Sequence, residues 1–345
     1  MKFKSIIYII LLLNSPVLLV AQTLPSILPE DVRSHNMKQV KCYCDPGVRY
    51  ASKSRGVELS YMFTEGGAFT SQDTFIINDP ASEYQQWQAA AFKLNFPIVN
   101  KDDFKLLVGY KYEVERFSFQ QIGVDYSEAF RSIDDDNLKS NSLSLLAVKP
   151  WNENTYSIFR VSYKTNGNYD GWAEFNGDYA IYNGLATYAI KKDPLFEYGF
   201  GVAFSRSFRR TSFVPLILYN RTFNEKWGIE SVLPSYIFAR YNVNKKNITL
   251  FGVEYDSQSY RLKIDNPATS LDYAMNHSEV LMSARWESQL SDWIWFSAKA
   301  GYRMNFSTDF ESKSPTTPFF TSDPTNGLFF RLGVFLSPPD DYGKQ

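Results

Sequence analysis

Only two histidines, His35 and His277, occur in the 345 residues, so imidazole chemistry has two possible addresses. His277-Ser278-Glu279 has the residue types of a hydrolytic relay, in which a hydroxyl attacks, an imidazole takes its proton and a carboxylate orients the ring. Adjacent residues of an extended chain point to opposite faces, so Ser278 is no partner for His277. Glu279 shares its face, and the nucleophile would have to come from a neighbouring strand. A lipid-modifying enzyme is therefore the third and weakest functional expectation, and no catalytic residue is assigned. Asp134-Asp135-Asp136 carries oxygen ligands of the kind Ca²⁺ takes, but in a connection where a solvated loop is the simpler reading. Cys42 and Cys44 flank a single tyrosine, with only His35 near, which reads as two thiols or one local disulfide. A count of two excludes a disulfide framework. Gly199-Phe200-Gly201 places its glycines on an inward strand face, where small residues make room. No metal and no cofactor is expected.

What remains is charge recurring at every second position of otherwise apolar stretches. Residues 293–306 put Ile294, Phe296, Ala298, Ala300, Tyr302, Met304 and Phe306 on one face, and Ser297, Lys299, Gly301, Arg303 and Asn305 on the other. The same period of two returns in Val57, Leu59, Tyr61, Phe63; in Phe104 to Val114; in Phe196 to Phe204; and in Val280 to Trp286. A charged side chain on a lipid-facing stripe would cost about 2–4 kcal/mol near the bilayer midplane, so the polar stripe must face inward. That assigns Glu58, Lys111, Glu113, Arg160, Glu197, Glu254, Arg285, Glu287, Lys299, Arg303 and Arg331 to a lumen as candidate binding residues. Lys105, Glu115, Lys164 and Asp256 share the assignment. Both signs occur in similar number, which predicts weak ion selectivity or interior salt bridges that fill the lumen.

Such stripes need a closed sheet in a membrane, and the chain start supplies the route. Lys2 and Lys4 precede an apolar run from Ile6 to Val20 that ends at Ala21-Gln22, the pattern of a cleaved signal peptide over 1–21. That run falls short of the ~20 residues of a spanning helix. Removing it takes two lysines and no acid, so 36 basic against 37 acidic residues becomes 34 against 37, a balance that excludes nucleic acid as a partner. A mean hydropathy of −0.31 resembles that of a water-soluble protein, yet a barrel needs only alternate residues to be apolar. The 17% aromatic content suits the girdles at the two membrane interfaces.

The connections then set the topology. Residues 22–55, with Pro25, Pro29, Pro46 and Gly47, read as an irregular periplasmic arm that can also fold back into the lumen. Short connections fall at 100–103, 150–153, 191–194, 222–225, 242–245 and 290–292; long ones near 65–85, 120–138, 165–177, 265–275 and 308–325. Outer-membrane barrels alternate short periplasmic turns with long outer loops. One exception, the stretch from Trp227 to Tyr241, obeys the rule once it is split at Pro234, which cannot donate to a strand ladder. The expectation is an all-β antiparallel transmembrane barrel over 56–337 with about fourteen strands, twelve being the alternative, and a C-terminal tail over 338–345. The final strand carries Arg331-x-Gly333-x-x-Leu336, a spacing that looks like a barrel-assembly signal.

The signal peptide, the barrel period and the runs Trp227 to Tyr241, Phe251-Gly252-Val253-Glu254-Tyr255 and Ser259-Tyr260-Arg261-Leu262 together resemble a Bacteroidota-type family of outer-membrane β-barrels, a domain of unknown function. The resemblance implies location and architecture over most of residues 56–337, and brings no catalytic or binding residues with it. The leading functional expectation is a passive channel or an uptake barrel for a small solute or apolar ligand, in the cell outer membrane. A structural or surface-interaction barrel without conductance is the alternative. Partners expected are outer-membrane lipid and lipopolysaccharide, the barrel-assembly machinery and a small solute.

Overall fold

The computed structural model describes residues 46–71, 80–208, 210–266, 269–312 and 320–338. The expected signal peptide, most of the arm, both cysteines, His35 and the end of the tail lie outside the described residues. In chain order the strands are β1 (Val57–Thr64), β2 (Gly67–Ser71), β3 (Ser82–Lys101), β4 (Phe104–Gln121), β5 (Leu138–Asn152), β6 (Thr155–Gly167), β7 (Ala180–Asp193), β8 (Phe196–Ser207), β9 (Arg210–Thr222), β10 (Trp227–Leu233), β11 (Tyr236–Asn244), β12 (Asn247–Asn266), β13 (Thr269–Gln289), β14 (Ile294–Ser312), β15 (Phe320–Pro324) and β16 (Gly327–Leu336). One α-helix, α1 (Ser127–Asp136), lies between β4 and β5.

From β2 to β15 neighbours in sequence pair antiparallel, and β1 pairs with β16 from Val57↔Leu336 to Thr64↔Phe329, which closes the sheet. Because β1 and β2 both pair with β3, and β15 and β16 both flank β14, the sixteen segments make fourteen staves. The split at Pro234 is real: β10 and β11 form a hairpin that turns at Pro234-Ser235. The expected long connections are partly strand, however. β12 and β13 pair out to Asn266↔Thr269, and β14 continues to Ser312, so the barrel wall itself rises where loops were expected. At 18–21 residues, β4, β13 and β14 exceed the ~9–11 residues that cross the hydrocarbon core.

The period of two places one apolar stripe outward, although Leu146, Ile158, Leu185, Leu216, Phe238 and Leu250 are apolar and buried. Leu59, Val161, Phe200, Phe213, Ile217, Trp286 and Leu332 are exposed, forming the belt that an outer-membrane barrel presents to lipid. Glu197, Glu287, Arg240 and Arg303 are buried within. One break in phase occurs at Phe306: the register slips between Ser278 and Glu279, so Phe306 is bulged outward and Thr308 and Phe310 turn in. The inward glycines of β8 do more than leave room. A Cβ at Gly199 would meet Tyr188 O at 2.5 Å and Ala189 Cα at 2.8 Å, so the backbone of the adjacent strand β7 lies too close for any side chain there.

Candidate functional site

The interior is layered. Mid-barrel lies a chamber of about 180 Å³ whose walls carry six cations, Arg55, Lys93, Lys111, Arg285, Lys299 and Arg331, and four acids, Glu58, Glu113, Glu254 and Asp256. Most are tied to a neighbour. Lys111 Nζ donates to Glu113 Oε2 at 2.5 Å, Lys299 pairs with Glu254, and Arg55 pairs with Glu58 and, at 2.7 Å, with Glu287. Arg285 Nε reaches Glu287 Oε1 at 3.2 Å. In a medium of low dielectric an isolated charge is expensive, so pairing is the condition for keeping this many charges inside.

The floor, at the short-turn end, is made by residues 46–55. This strap enters the barrel and is gripped by three inward carboxylates from three strands. The Gly47 N–H is shared between Glu197 Oε1 and Oε2 at 3.0 and 2.9 Å, with Tyr156 and Asn220 donating to the same carboxylate. Ser52 donates its N–H and hydroxyl to Glu230, each at 2.8 Å, and Arg240, fully buried, holds Glu230 from the other side at 2.9 Å. Arg55 completes the series on Glu287 and lies over the Phe335 ring. Backbone contacts Arg49 N to Pro194 O and Asn95 N to Gly56 O tie the strap to the rim.

The roof is aromatic. Phe69, Trp87, Phe117, Phe130, Tyr260, Tyr273, Phe310 and Phe320 form one buried cluster, and α1 drops Ala129, Phe130 and Ile133 into it. Between roof and chamber runs a polar belt. Arg303 lies 3.7 Å from the Trp87 ring centre and donates to Glu279 at 3.1 Å; Trp87 Nε1 donates to Glu115, which also accepts from Tyr260. Met62, Ala89, Leu281 and Phe329 form a thin apolar layer beneath.

The inward candidates thus divide by height. Glu58, Lys111, Glu113, Glu254, Arg285, Lys299 and Arg331 meet at the chamber, together with Asp256. Glu197 and Glu287 belong to the floor and Arg303 to the roof. Arg160 stands apart on the β6 wall, 3.4 Å from Ser144 Oγ. Sequence reasoning missed Arg55, which lies in a stretch without period, and Lys93, where Ala89-Ala90-Ala91 blurs the alternation. It also missed Trp87, whose phase was legible from Lys93 once register was known. His277 does find a hydroxyl from the next strand: Nδ1 is 2.7 Å from Thr308 Oγ1 and Nε2 is 3.1 Å from Glu279 Oε2. All three face inward, and Thr308 is fully buried beside the Trp87–His277 ring contact. Asp134 Oδ1 accepts from Phe119 N at 3.2 Å, tying α1 to β4, and the described residues hold no group of three metal-ligating side chains.

An apolar belt outside, charge inside and a closed antiparallel ladder define an integral β-barrel of the outer-membrane type. More narrowly, the chain belongs to the DUF6268 family, a domain of unknown function, whose model matches residues 79–337. Among solved structures it is similar to an outer membrane channel from Pseudomonas putida F1, at 13% identity and a TM-score of 0.42 over 85% of this chain and 99% of that one. It is also similar to a Pseudomonas aeruginosa FadL homologue, at 9% identity and a TM-score of 0.41 over 81% of this chain and 90% of that one. No curated protein matches the sequence.

Proposed function

We propose that this protein is an outer-membrane uptake barrel for a small polar solute, whose mid-barrel chamber is shut from the periplasm by its own residues 46–55. The observation that carries the reading is the strap: Glu197, Glu230 and Glu287 hold it by hydrogen bonds and an ion pair, to which Val48 adds one buried apolar side chain. Polar contacts re-form with water when broken, so such a closure opens at modest cost. The charged lining favours a polar solute over the apolar ligand that a barrel of this kind could also carry. No catalytic step is part of the reading. The belt of outward Leu59, Phe200 and Leu332 meets lipid and lipopolysaccharide, and the final strand is the part presented to the assembly machinery.

The test is planar-bilayer recording of the full chain against a variant lacking 46–55, with folding checked by heat-dependent gel migration. The full chain is expected to open rarely and the deletion frequently. A correctly migrating deletion variant that stays silent at every voltage refutes the reading. It would favour a structural barrel without conductance, for which the filled lumen and the exposed Trp172 and Phe175 of the β6–β7 connection speak.

A further inference from the structure

Resting on that reading, we infer that the chamber is a binding site for a small zwitterion, with Arg331 receiving a carboxylate and Asp256 an ammonium group. Two chamber side chains, Arg331 and Asp256, stand outside the ion pairs described above. Among the described residues Arg331 is in no ion pair, and its one hydrogen bond is the weak contact of Nη2 with Met62 Sδ at 3.3 Å. Asp256 is likewise in no ion pair, and its Oδ1 is buried with no hydrogen-bond partner. The two lie on different strands, β16 and β12, and both line the same 180 Å³ space.

A guanidinium and a carboxylate that face one cavity without an ion-pair partner recover their hydration only from what enters that cavity. They do not pair with each other, so the space between them is what a bridging ligand fills. A planar guanidinium takes a carboxylate in two parallel hydrogen bonds, and a carboxylate with an open oxygen accepts from an ammonium group. The neighbouring pairs Lys111–Glu113 and Lys299–Glu254 are already satisfied, so they wall the site without competing for either end of the ligand. At ~30 Å³ per water, the chamber holds on the order of six waters, the bulk of one small amino acid.

The full chain, refolded in detergent, is dialysed to equilibrium against 4-aminobutyrate, butyrate and butylamine, three probes of one length that differ only in their charged ends. The expected result is preference for 4-aminobutyrate over each singly charged probe by roughly tenfold or more, as loss of a charge-assisted contact gives. Asp256→Asn should abolish the preference over butyrate alone, and Arg331→Gln the preference over butylamine alone. A mere folding role for either residue would not change one ratio and spare the other. Equal binding of all three probes, no binding, or ratios unmoved by both substitutions overturns the inference. Conductance of the variant lacking 46–55, measured separately, keeps the two claims apart: a silent barrel with intact probe ratios sinks uptake only, and a conducting barrel without ratios sinks the zwitterion site only.

Discussion

Replacing Glu197 with Gln removes one charge from the floor and changes almost nothing in shape. Four contacts meet at this carboxylate: the shared Gly47 N–H at 3.0 and 2.9 Å, Tyr156 Oη at 3.0 Å and Asn220 Nδ2 at 2.7 Å. Asn220 Oδ1 already accepts from Ser231 N, so the Asn220 amide is fixed as a donor and the new Gln oxygen must face it. The Gln nitrogen then points at Tyr156, whose hydroxyl can turn to accept. Gly47 keeps one neutral acceptor in place of two charged ones. A hydrogen bond to a charged group is worth about 1.5–3 kcal/mol against 0.5–1.5 for a neutral one, so the strap end loses about 1–2 kcal/mol. That raises its opening equilibrium by a factor of ~5–30. Amide exchange followed by mass spectrometry should show Gly47 and Arg49 exchanging faster by that factor. Ser52 should change little, because its partner Glu230 is untouched. Unchanged exchange at Gly47 in a folded barrel would refute the claim that Glu197 holds the strap.

Three other outcomes are expected. Arg303→Ala should cost about 3–5 kcal/mol, because Glu279 loses its buried cation and the Trp87 face its guanidinium, read as a lower urea midpoint of the heat-modifiable band. Gly199→Val should yield little folded barrel in a refolding assay, since its Cβ would overlap the backbone of β7. Lys263 and Arg261 hold the carboxyl of Asp178, outside the spans, below the ordinary carboxylate range. Its contribution is therefore complete above about pH 4 and is lost as pH falls through the depressed value. Proteolysis of the 168–179 connection should speed up in acid for the wild type and show no such step in Asp178→Asn, by an amount kept small and salt-sensitive by the exposure of Asp178.

The alternation of Lys299, Gly301 and Arg303 with Tyr302 and Phe296 was legible because lipid and lumen impose opposite demands on successive residues. The turn at Pro234 was legible because two short connections in a row, at 222–225 and 242–245, demanded another turn between them, whereas Pro215 sits inside β9 opposite Val202 without breaking the register. Heights were not. Glu197, Glu254 and Arg303 carry the same inward signature, yet one grips the strap, one lines the chamber and one supports the roof. Vertical position depends on stagger between strands, which alternation along one strand does not encode. The strap escaped for a related reason: Gly47 and Ser52 bond to partners at least 150 residues away, and Arg55, though it also pairs with Glu58, is fixed on Glu287 from 232 residues away. The slip at Phe306 needed the partner strand, because a bulge is a property of a pair.

The short hairpin of β10 and β11 explains why the outer half of the barrel is filled and the middle is not. β11 pairs with β12 only as far as Tyr236↔Glu254, so β12 rises from there with an edge that β11 no longer covers. Unpaired edges are costly, and this one is taken by β6 from across the lumen. Gly167 pairs with Arg261, Asn166 Nδ2 donates to Ser259 O at 3.1 Å, and Asn168 exchanges bonds with Lys263 N and O at 2.9 and 2.8 Å. The wall above the hairpin overlaps itself, with Ser257 and Ser259 of β12 facing Ser205 and Ser207 of β8. What remains inside that turn is a narrower ring, small enough for the side chains around Phe310 and for α1 to fill with apolar rings. Below the hairpin the full set of staves stands apart, and buried apolar side chains fill parts of that wider lumen, around Tyr156, Ile158 and Leu216 from β5 to β10 and around Phe238, Trp295 and Phe335 from β11, β14 and β16, while the charged chamber stays unfilled. The depth at which β10 turns therefore sets where the chamber lies.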